Sequence, residues 1–443
     1  MIEHPPHTWM TGFIRGKLSP RRRRAYVAHL LSGCEPCREE VAPIAEVMFR
    51  PDRAAVPVSG GAEYDGPIDR AVQFALDRGR NRARERQEAE ASLDQYLISS
   101  GPSDLGSRTW GLCEVLLERS WSFRHDDTRE MLRFASLARE AADRLDSDLY
   151  GTDAISDMRA RAWGEYANAC RVTNDLMQAE WSIERALGLY RQGSGSRLLR
   201  ARLSEVTAGI LAFERHFQAA FRALDLAFTL YCREQQTHDA LRVLIRRGTY
   251  TGRSGDPELA VLILARALTF AADHKIIDSK LNFITLHNIL LFRVEHGEFA
   301  EARRQLFEMR ALYVRHAGSV DALKLRWIEA RIAAGLGDDE RAERGFLDVR
   351  EEFNRRGQVY HAAIMGLELS ALWLRKGRLA EVKRLVGEIL DVFRSRHVAR
   401  ESIAALLMLR EALERDRATR DLILCVAGLI ELHQGDDAGQ PQL

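Results

Sequence analysis

Apolar residues recur every three or four positions along most of residues 101–435, and short polar or glycine-containing turns interrupt them. This spacing predicts a succession of amphipathic helices. One segment recurs: a small or polar turn, a short spacer, and then a small residue that opens an apolar helical run. These small residues are Ala179, Ala220, Ala260, Ala302, Ala342 and Val382. Their separations of 41, 40, 42, 40 and 40 residues predict an array of stacked helical pairs.

The recurring segment resembles the tetratricopeptide repeat, which places small residues where its two helices cross. In the first clear copy, Ala167 and Cys170 precede Ala179, Ile183 and Ala186 at the family's offsets. The resemblance implies an all-α fold, a right-handed superhelix of helical hairpins (an α-solenoid) in which stacking supplies the stability. The family's period is about 34 residues, so the period of 40–42 residues here implies longer helices or longer loops.

The helical array is predicted to occupy residues 101–435. A degenerate unit is expected at 106–147 and a closing helical pair at 399–434. The polar tail at 436–443 is predicted to be disordered.

The same resemblance implies that the first helix of each pair lines a concave groove in which partners bind. The residues carried over from the family's groove positions are Arg161, Asn168, Arg171, Arg202, Arg242, Arg246, His287, Lys324, Trp327 and Arg331. Arg242 and Arg246 match positions that hold a ligand carboxylate in some members, although Gly164 stands where that clamp needs lysine. A mostly basic groove favours an acidic peptide or an acidic protein surface, and the alternative is ordinary solvated surface charge.

A second pattern lies near the start of the chain, where "LSPRRRRAYVAHLLSG" (18–33) predicts a helix that begins at Pro20. His29 falls in its last turn, and Cys34 and Cys37 follow with two residues between them. Zinc takes four ligands in a tetrahedron, usually thiolate sulfur and imidazole nitrogen. The nearest candidates for the fourth ligand are His4 and His7. The alternative is a helical hairpin without metal.

These first 50 residues resemble the zinc-binding domain of bacterial anti-sigma factors, through "HP … FIRGKLSP … HLLSGCEPCR". The resemblance implies a small helical module (1–50) that holds structural Zn²⁺ through His4, His29, Cys34 and Cys37. Four residues separate His29 from Cys34, one more than the family's usual spacing. The resemblance also implies a sigma factor or another protein as the partner of this module.

Two segments join the module to the array. Residues 51–66 are rich in proline, glycine and small residues and predict a linker. Residues 67–100 predict a connecting helix in which arginines fall at every second position from Arg78 to Arg86, which spreads charge around the helix and does not favour nucleic-acid binding. Ala89, in the polar part of this helix, is predicted to tolerate a bulky substitution.

Composition narrows the function further. Lysine and arginine number 65 and aspartate and glutamate 64, so net charge favours neither a nucleic acid nor a membrane as partner. No apolar stretch predicts a transmembrane helix or a secretory signal, and a cytoplasmic protein is expected. No phosphate-binding loop, nucleophile elbow or metalloprotease motif occurs.

The sequence therefore predicts a non-enzymatic regulatory protein that works through protein–protein contact in cytoplasmic signalling or transcription control. In the alternative, the array is an adaptor or sensor subunit that recruits a separate effector enzyme, such as a protease or a nuclease. Zinc would then be purely structural.

The ligand spacing predicts close to one zinc ion per chain. Cys34→Ser should release the metal but leave the array folded, because the 51–66 linker separates the two parts. Metal analysis of the purified protein and of this variant tests the prediction. A protein without zinc, whose N-terminal folding does not change in chelator, would contradict it.

Overall fold

The structure is a computed structural model of the 443-residue chain. It describes residues 5–6, 8–9, 13, 18–31, 34, 81–82, 84–91, 93, 109–125, 127–316, 319–395 and 400–432. The chain divides into two compact units, residues 1–83 and 84–443. The boundary falls inside the connecting helix predicted for 67–100, and each unit is described by itself.

The described part of the first unit is built around helix α1 (Pro20–Leu31), which confirms the helix predicted before the cysteine pair. Proline is its first residue, where its missing N–H leaves no hydrogen bond unmade. Tyr26 is buried, and its ring lies 5.3 Å from that of Phe13. His29 lies in the last turn of α1, as predicted.

The second unit is a succession of helices. Their bounds are α2 Trp110–Ser122, α3 Thr128–Asp143, α4 Ser147–Tyr150, α5 Thr152–Val172, α6 Leu176–Tyr190, α7 Arg197–Phe213, α8 Phe217–Arg233, α9 Thr237–Arg253, α10 Pro257–Asp273, α11 Ser279–His296, α12 Phe299–His316, α13 Ser319–Gly335, α14 Asp339–Arg355, α15 Val359–Arg375, α16 Leu379–Ser395, α17 Arg400–Glu414 and α18 Arg420–Leu432. A short 3₁₀ helix, Phe123–His125, extends α2.

Consecutive helices pack as pairs, which confirms the predicted helical array. The pairs are α2/α3, α5/α6, α7/α8, α9/α10, α11/α12, α13/α14, α15/α16 and α17/α18. The first helices of neighbouring pairs also contact each other. For example, α5 contacts α7, and α9 contacts α11. The predicted closing pair is α17/α18, and α18 packs back against α15. Within the described residues, none of the helices combines the length and the apolar character needed to cross a bilayer.

The turn inside each of the six pairs from α5/α6 to α15/α16 is the local feature that sets the period. The residue with left-handed backbone in these turns is Asn174, Arg215, Gly255, Gly297, Gly337 or Gly377. These positions repeat the 41, 40, 42, 40 and 40-residue separations of the small residues. A left-handed residue ends a helix, and the following aspartate often caps the next one, as Asp175, Asp256 and Asp338 do.

Longer helices account for a period above that of the tetratricopeptide family. In the third clear pair, α9 and α10 have 17 residues each, and only residues 254–256 join them. The small residue of each repeat is fully buried at the helix crossing. Ala260, for example, belongs to an apolar cluster with Leu264 and Ile289.

The helical residues 84–91 pack against the start of the array. Glu85 accepts a hydrogen bond from the Tyr150 hydroxyl at 2.7 Å and one from the backbone N–H of Gly111 at 3.2 Å. Arg86 forms a bidentate pair with Glu118, so the arginine alternation here serves ion pairs within the protein.

The prediction that Ala89 tolerates a bulky side chain is wrong. Ala89 is buried in one apolar cluster with Leu93, Trp110 and Cys113. The polar sequence around Ala89 hides this contact, because only one narrow face of the segment meets the array.

Substitution on α10 tests the repeat register. Ala260→Phe should lower the free energy of unfolding by about 1–3 kcal/mol, because the larger side chain overpacks a fully buried crossing. The matched control is Ala265→Phe, since Ala265 is exposed on the same helix. Urea denaturation followed by circular dichroism measures both variants. Equal losses at the two positions would contradict the register.

Candidate functional site

Charged side chains from the first helices α5, α7 and α9 meet on one face of the array. Arg202 on α7 makes a bidentate pair with Glu165 on α5, with N–O distances of 2.6 and 2.8 Å. The same guanidinium reaches Glu205, one turn along α7, at 3.1 Å. Arg161 adds a further positive charge near Glu165. Ion pairs thus join neighbouring repeats side by side.

Glu205 is the centre of this arrangement and is fully buried. Arg242 on α9 holds it with two hydrogen bonds, Nε–Oε1 at 3.0 Å and Nη2–Oε2 at 2.8 Å. Arg246 reaches Oε1 at 2.9 Å. Arg242 also pairs with Asp239. We call Arg171, Arg202, Arg242 and Arg246, with Glu165, Glu205 and Asp239, the arginine cluster.

The protonation states in the cluster follow from these contacts. Burial alone would raise the pKa of Glu205, but the guanidiniums of Arg242, Arg246 and Arg202 outweigh it and hold the pKa well below the ordinary value of 4.5. Burial likewise opposes ionisation of Glu165, and Arg202 nevertheless lowers its pKa. Both carboxylates are therefore ionised at neutral pH.

An aromatic side chain from the start of the array lies on the cluster. Trp121 lies near the end of α2. The guanidinium of Arg202 is 4.7 Å from the centroid of its ring, and the guanidinium of Arg242 is 5.5 Å from it. Such cation–π contacts stabilise a guanidinium that has lost part of its hydration. The cluster thus ties α2, α5, α7 and α9 together.

Arg171, in the last turn of α5, differs from the other arginines of the cluster. Its Nη2 donates to Oδ1 of Asn168 at 3.0 Å, while its buried Nε has no hydrogen-bond partner. Within the described part of the chain Arg171 forms no ion pair. Burial lowers the pKa of its guanidinium, and the nearby charges of Arg246 and Arg202 lower it further.

The remaining groove residues lie along later first helices and form separate contacts. His287 on α11 shares a 2.6 Å hydrogen bond with the Tyr313 hydroxyl. On α13, Arg331 lies 5.4 Å above the Trp327 ring and pairs with Glu368 at 3.5 Å.

Lys324, also on α13, adds to burial in lowering the pKa of His361 to about 4. The predicted groove is therefore several clusters, of which that on α5, α7 and α9 is the most highly charged.

The predicted zinc ligands are only partly within the described residues. His29 lies in α1 and Cys34 is partly exposed three residues beyond it, whereas His4, its rival His7 and Cys37 lie outside the described residues. Among the residues that the structure describes, no three or more histidine, cysteine or acidic side chains come together as metal ligands. Zinc binding stays a prediction.

Sequence reasoning located the arginines but missed the groups that hold them, Glu165, Glu205 and Trp121. A signal was present in the spacing: Glu165 to Arg202 and Glu205 to Arg242 are both 37 residues apart. An acid–arginine spacing just under the repeat length brings the two charges side by side on adjacent first helices.

Comparison with known proteins adds distant structural likenesses. The sequence matches no protein-family model and no curated protein. Similar solved structures include the apo form of RapI, with a TM-score of 0.49, 12% identity, and coverage of 79% of this chain and 97% of that chain. Aspartyl phosphate phosphatase F from Bacillus subtilis has a TM-score of 0.48 and 9% identity, with coverage of 63% of this chain and 70% of that chain. The apo form of the quorum sensor NprR from B. thuringiensis has a TM-score of 0.46 and 14% identity, with coverage of 78% of this chain and 99% of that chain.

These likenesses carry no functional conclusion at such values. The helical array is established by the helix pairs of this chain and by the period of their turns.

Removing the central carboxylate tests the cluster. Glu205→Gln should lower the free energy of unfolding by about 3–5 kcal/mol at pH 7, because Arg246 loses its carboxylate partner and Arg202 and Arg242 each lose one of two. The control, Glu234→Gln, breaks the more exposed pair with Arg197 and should change it by at most about 1 kcal/mol. Urea denaturation measures both variants.

The stabilisation by Glu205 should also depend on pH. A depressed folded-state pKa gives stability that is present above the ordinary pKa of 4.5 and is lost as the pH falls through the folded-state value. The difference between wild type and Glu205→Gln should therefore shrink below pH 4.5. A difference that is unchanged by acid, or small at pH 7, would contradict the ionised buried carboxylate.

Proposed function

We propose that this chain is a non-enzymatic regulatory protein whose first-helix face binds an acidic segment of a partner protein. The observation that carries the proposal is the charge balance of the arginine cluster. Arginines outnumber carboxylates in the cluster. Arg171 forms no ion pair with any carboxylate of the described residues. A carboxylate from a partner would supply the missing counter-charge with charge-assisted hydrogen bonds.

The arrangement fits an acidic protein segment better than a nucleic acid. Glu165, Glu205 and Asp239 lie among the arginines, so negative charge is already present at fixed points of the face. A phosphate backbone needs a continuous row of exposed basic groups. An acidic peptide can place single carboxylates between the fixed ones.

The arrangement also supports binding over catalysis. A general acid or base needs a pKa near the working pH and access to the substrate. Glu205 has neither, because it is fully buried and its pKa is held well below the ordinary range. Its role is to fix the arginines in place.

For the N-terminal module we propose structural zinc held by His29, Cys34, Cys37 and His4, and a second protein partner such as a sigma factor. The end of α1 just after His29, with Cys34 partly exposed three residues later, supports this arrangement. A cytoplasmic signalling or transcription-control protein with two binding modules accounts for both patterns in the sequence.

A peptide-display selection on the purified full chain tests the proposed function. Selected peptides should be enriched in aspartate and glutamate, because the arginine cluster carries surplus positive charge. Their affinity should fall as salt rises beyond about 0.1 M, where charges are screened over about 10 Å. Control peptides carry asparagine and glutamine at the acidic positions. Selection of basic or apolar peptides, or equal binding of the control peptides, would contradict the proposal.

A further inference from the structure

We propose that Arg171 is the anchor of this face and binds one carboxylate group of the partner's acidic segment. This inference rests on the proposed function and names the residue that carries it. It also reassigns the role that the family's groove positions gave to Arg242 and Arg246.

The arginines of the cluster differ in whether they can accept a new carboxylate. Arg242 has two hydrogen bonds to Glu205 and one to Asp239, and Arg246 reaches Glu205 at 2.9 Å. Arg202 is shared between Glu165 and Glu205. A partner carboxylate at any of these three would compete with an ion pair that is already formed. Arg171 poses no such competition.

The Arg171 side chain lies between α5 and α7. It leaves α5 and lies over Gly209 of α7, where a built Cβ atom would come within 3.0 Å of Nε and 3.2 Å of Cδ. Glycine at 209 therefore leaves room for the guanidinium between the two helices. The hydrogen bond from Nη2 to Asn168 fixes its orientation.

The Arg171 guanidinium lies in an electrostatically unfavourable environment. Nε of Arg171 is buried without a hydrogen-bond partner, and an unsatisfied buried donor on a charged group is destabilising. The charges of Arg246, Arg202 and Arg253 repel the same guanidinium. Nε faces Gly209 and is closed to a ligand, but a carboxylate bound at the terminal Nη atoms would screen this repulsion.

The donors at Arg171 favour a carboxylate as the ligand. A planar carboxylate matches the fork of a guanidinium. The amide Nδ2 of the nearly buried Asn168 makes no hydrogen bond within the described residues and offers a second, neutral donor. One guanidinium and one amide together match the two oxygens of a single carboxylate.

Thermal stability in a small dicarboxylate tests the anchor without knowledge of the partner. Glutarate at millimolar concentration and constant ionic strength should raise the Tm of the wild-type chain above the value in glutaramide, its uncharged analogue, because a ligand that binds the folded state stabilises it. Arg171→Met should abolish the difference. Arg266→Met, which removes an exposed arginine on α10, should keep it.

Two further readouts keep the test decisive. Without glutarate, Arg171→Met should be at least as stable as wild type, because an uncompensated charge is lost. Arg171→Lys should keep only part of the glutarate effect, since an ammonium lacks the fork. A glutarate effect that Arg171→Met retains in full would overturn the proposal, as would the absence of any effect in wild type.

The selected acidic peptides separate this inference from the proposed function. Arg171→Met should weaken their binding by about tenfold or more, the usual effect of losing a hydrogen bond to a charged group. Acidic peptides that bind wild type and Arg171→Met equally would overturn the anchor and leave the proposed function standing. If no acidic peptide is selected, the glutarate measurement still decides the role of Arg171.

Discussion

A buried carboxylate among three arginines is the interaction on which the charged part of this array depends. Glu205 is fully buried on α7, and Arg202, Arg242 and Arg246 hold it from its own helix and from α9. Burying an isolated carboxylate is strongly unfavourable, so the position is stable only while the guanidiniums are in place. Since those guanidiniums belong to adjacent repeats, the carboxylate fixes how the repeats stack.

The apolar clusters differ in size along the array. From Leu323 to Ile430 a single large apolar cluster runs through the helices, with Phe346, Phe353 and Phe393 fully buried. Between α5 and α9 the apolar clusters are smaller, and ion pairs between first helices accompany them. Arg171, which forms no ion pair within the described residues, lies in this part of the array.

The fold could be predicted further than the site. Helical periodicity and the recurring small residues, Ala179 and Ala260 among them, predicted the helix pairs and their register, because stacking repeats the same local geometry. The partners of Arg242 could not be predicted from its neighbours in sequence, since Glu205 lies 37 residues away. The prediction that Ala89 tolerates a bulky side chain failed because the segment around it is mostly polar and buries only one narrow face. Zinc binding stays a prediction, because His4 and Cys37 lie outside the described residues.

The most direct measurement is a crystal structure of the full chain with a selected acidic peptide bound. We expect a peptide carboxylate within hydrogen-bond distance of a terminal Nη atom of Arg171, while Glu205 remains paired with Arg242. A peptide bound on the second helices of the pairs would contradict it. A peptide carboxylate that displaces Glu205 from Arg242 would contradict it as well.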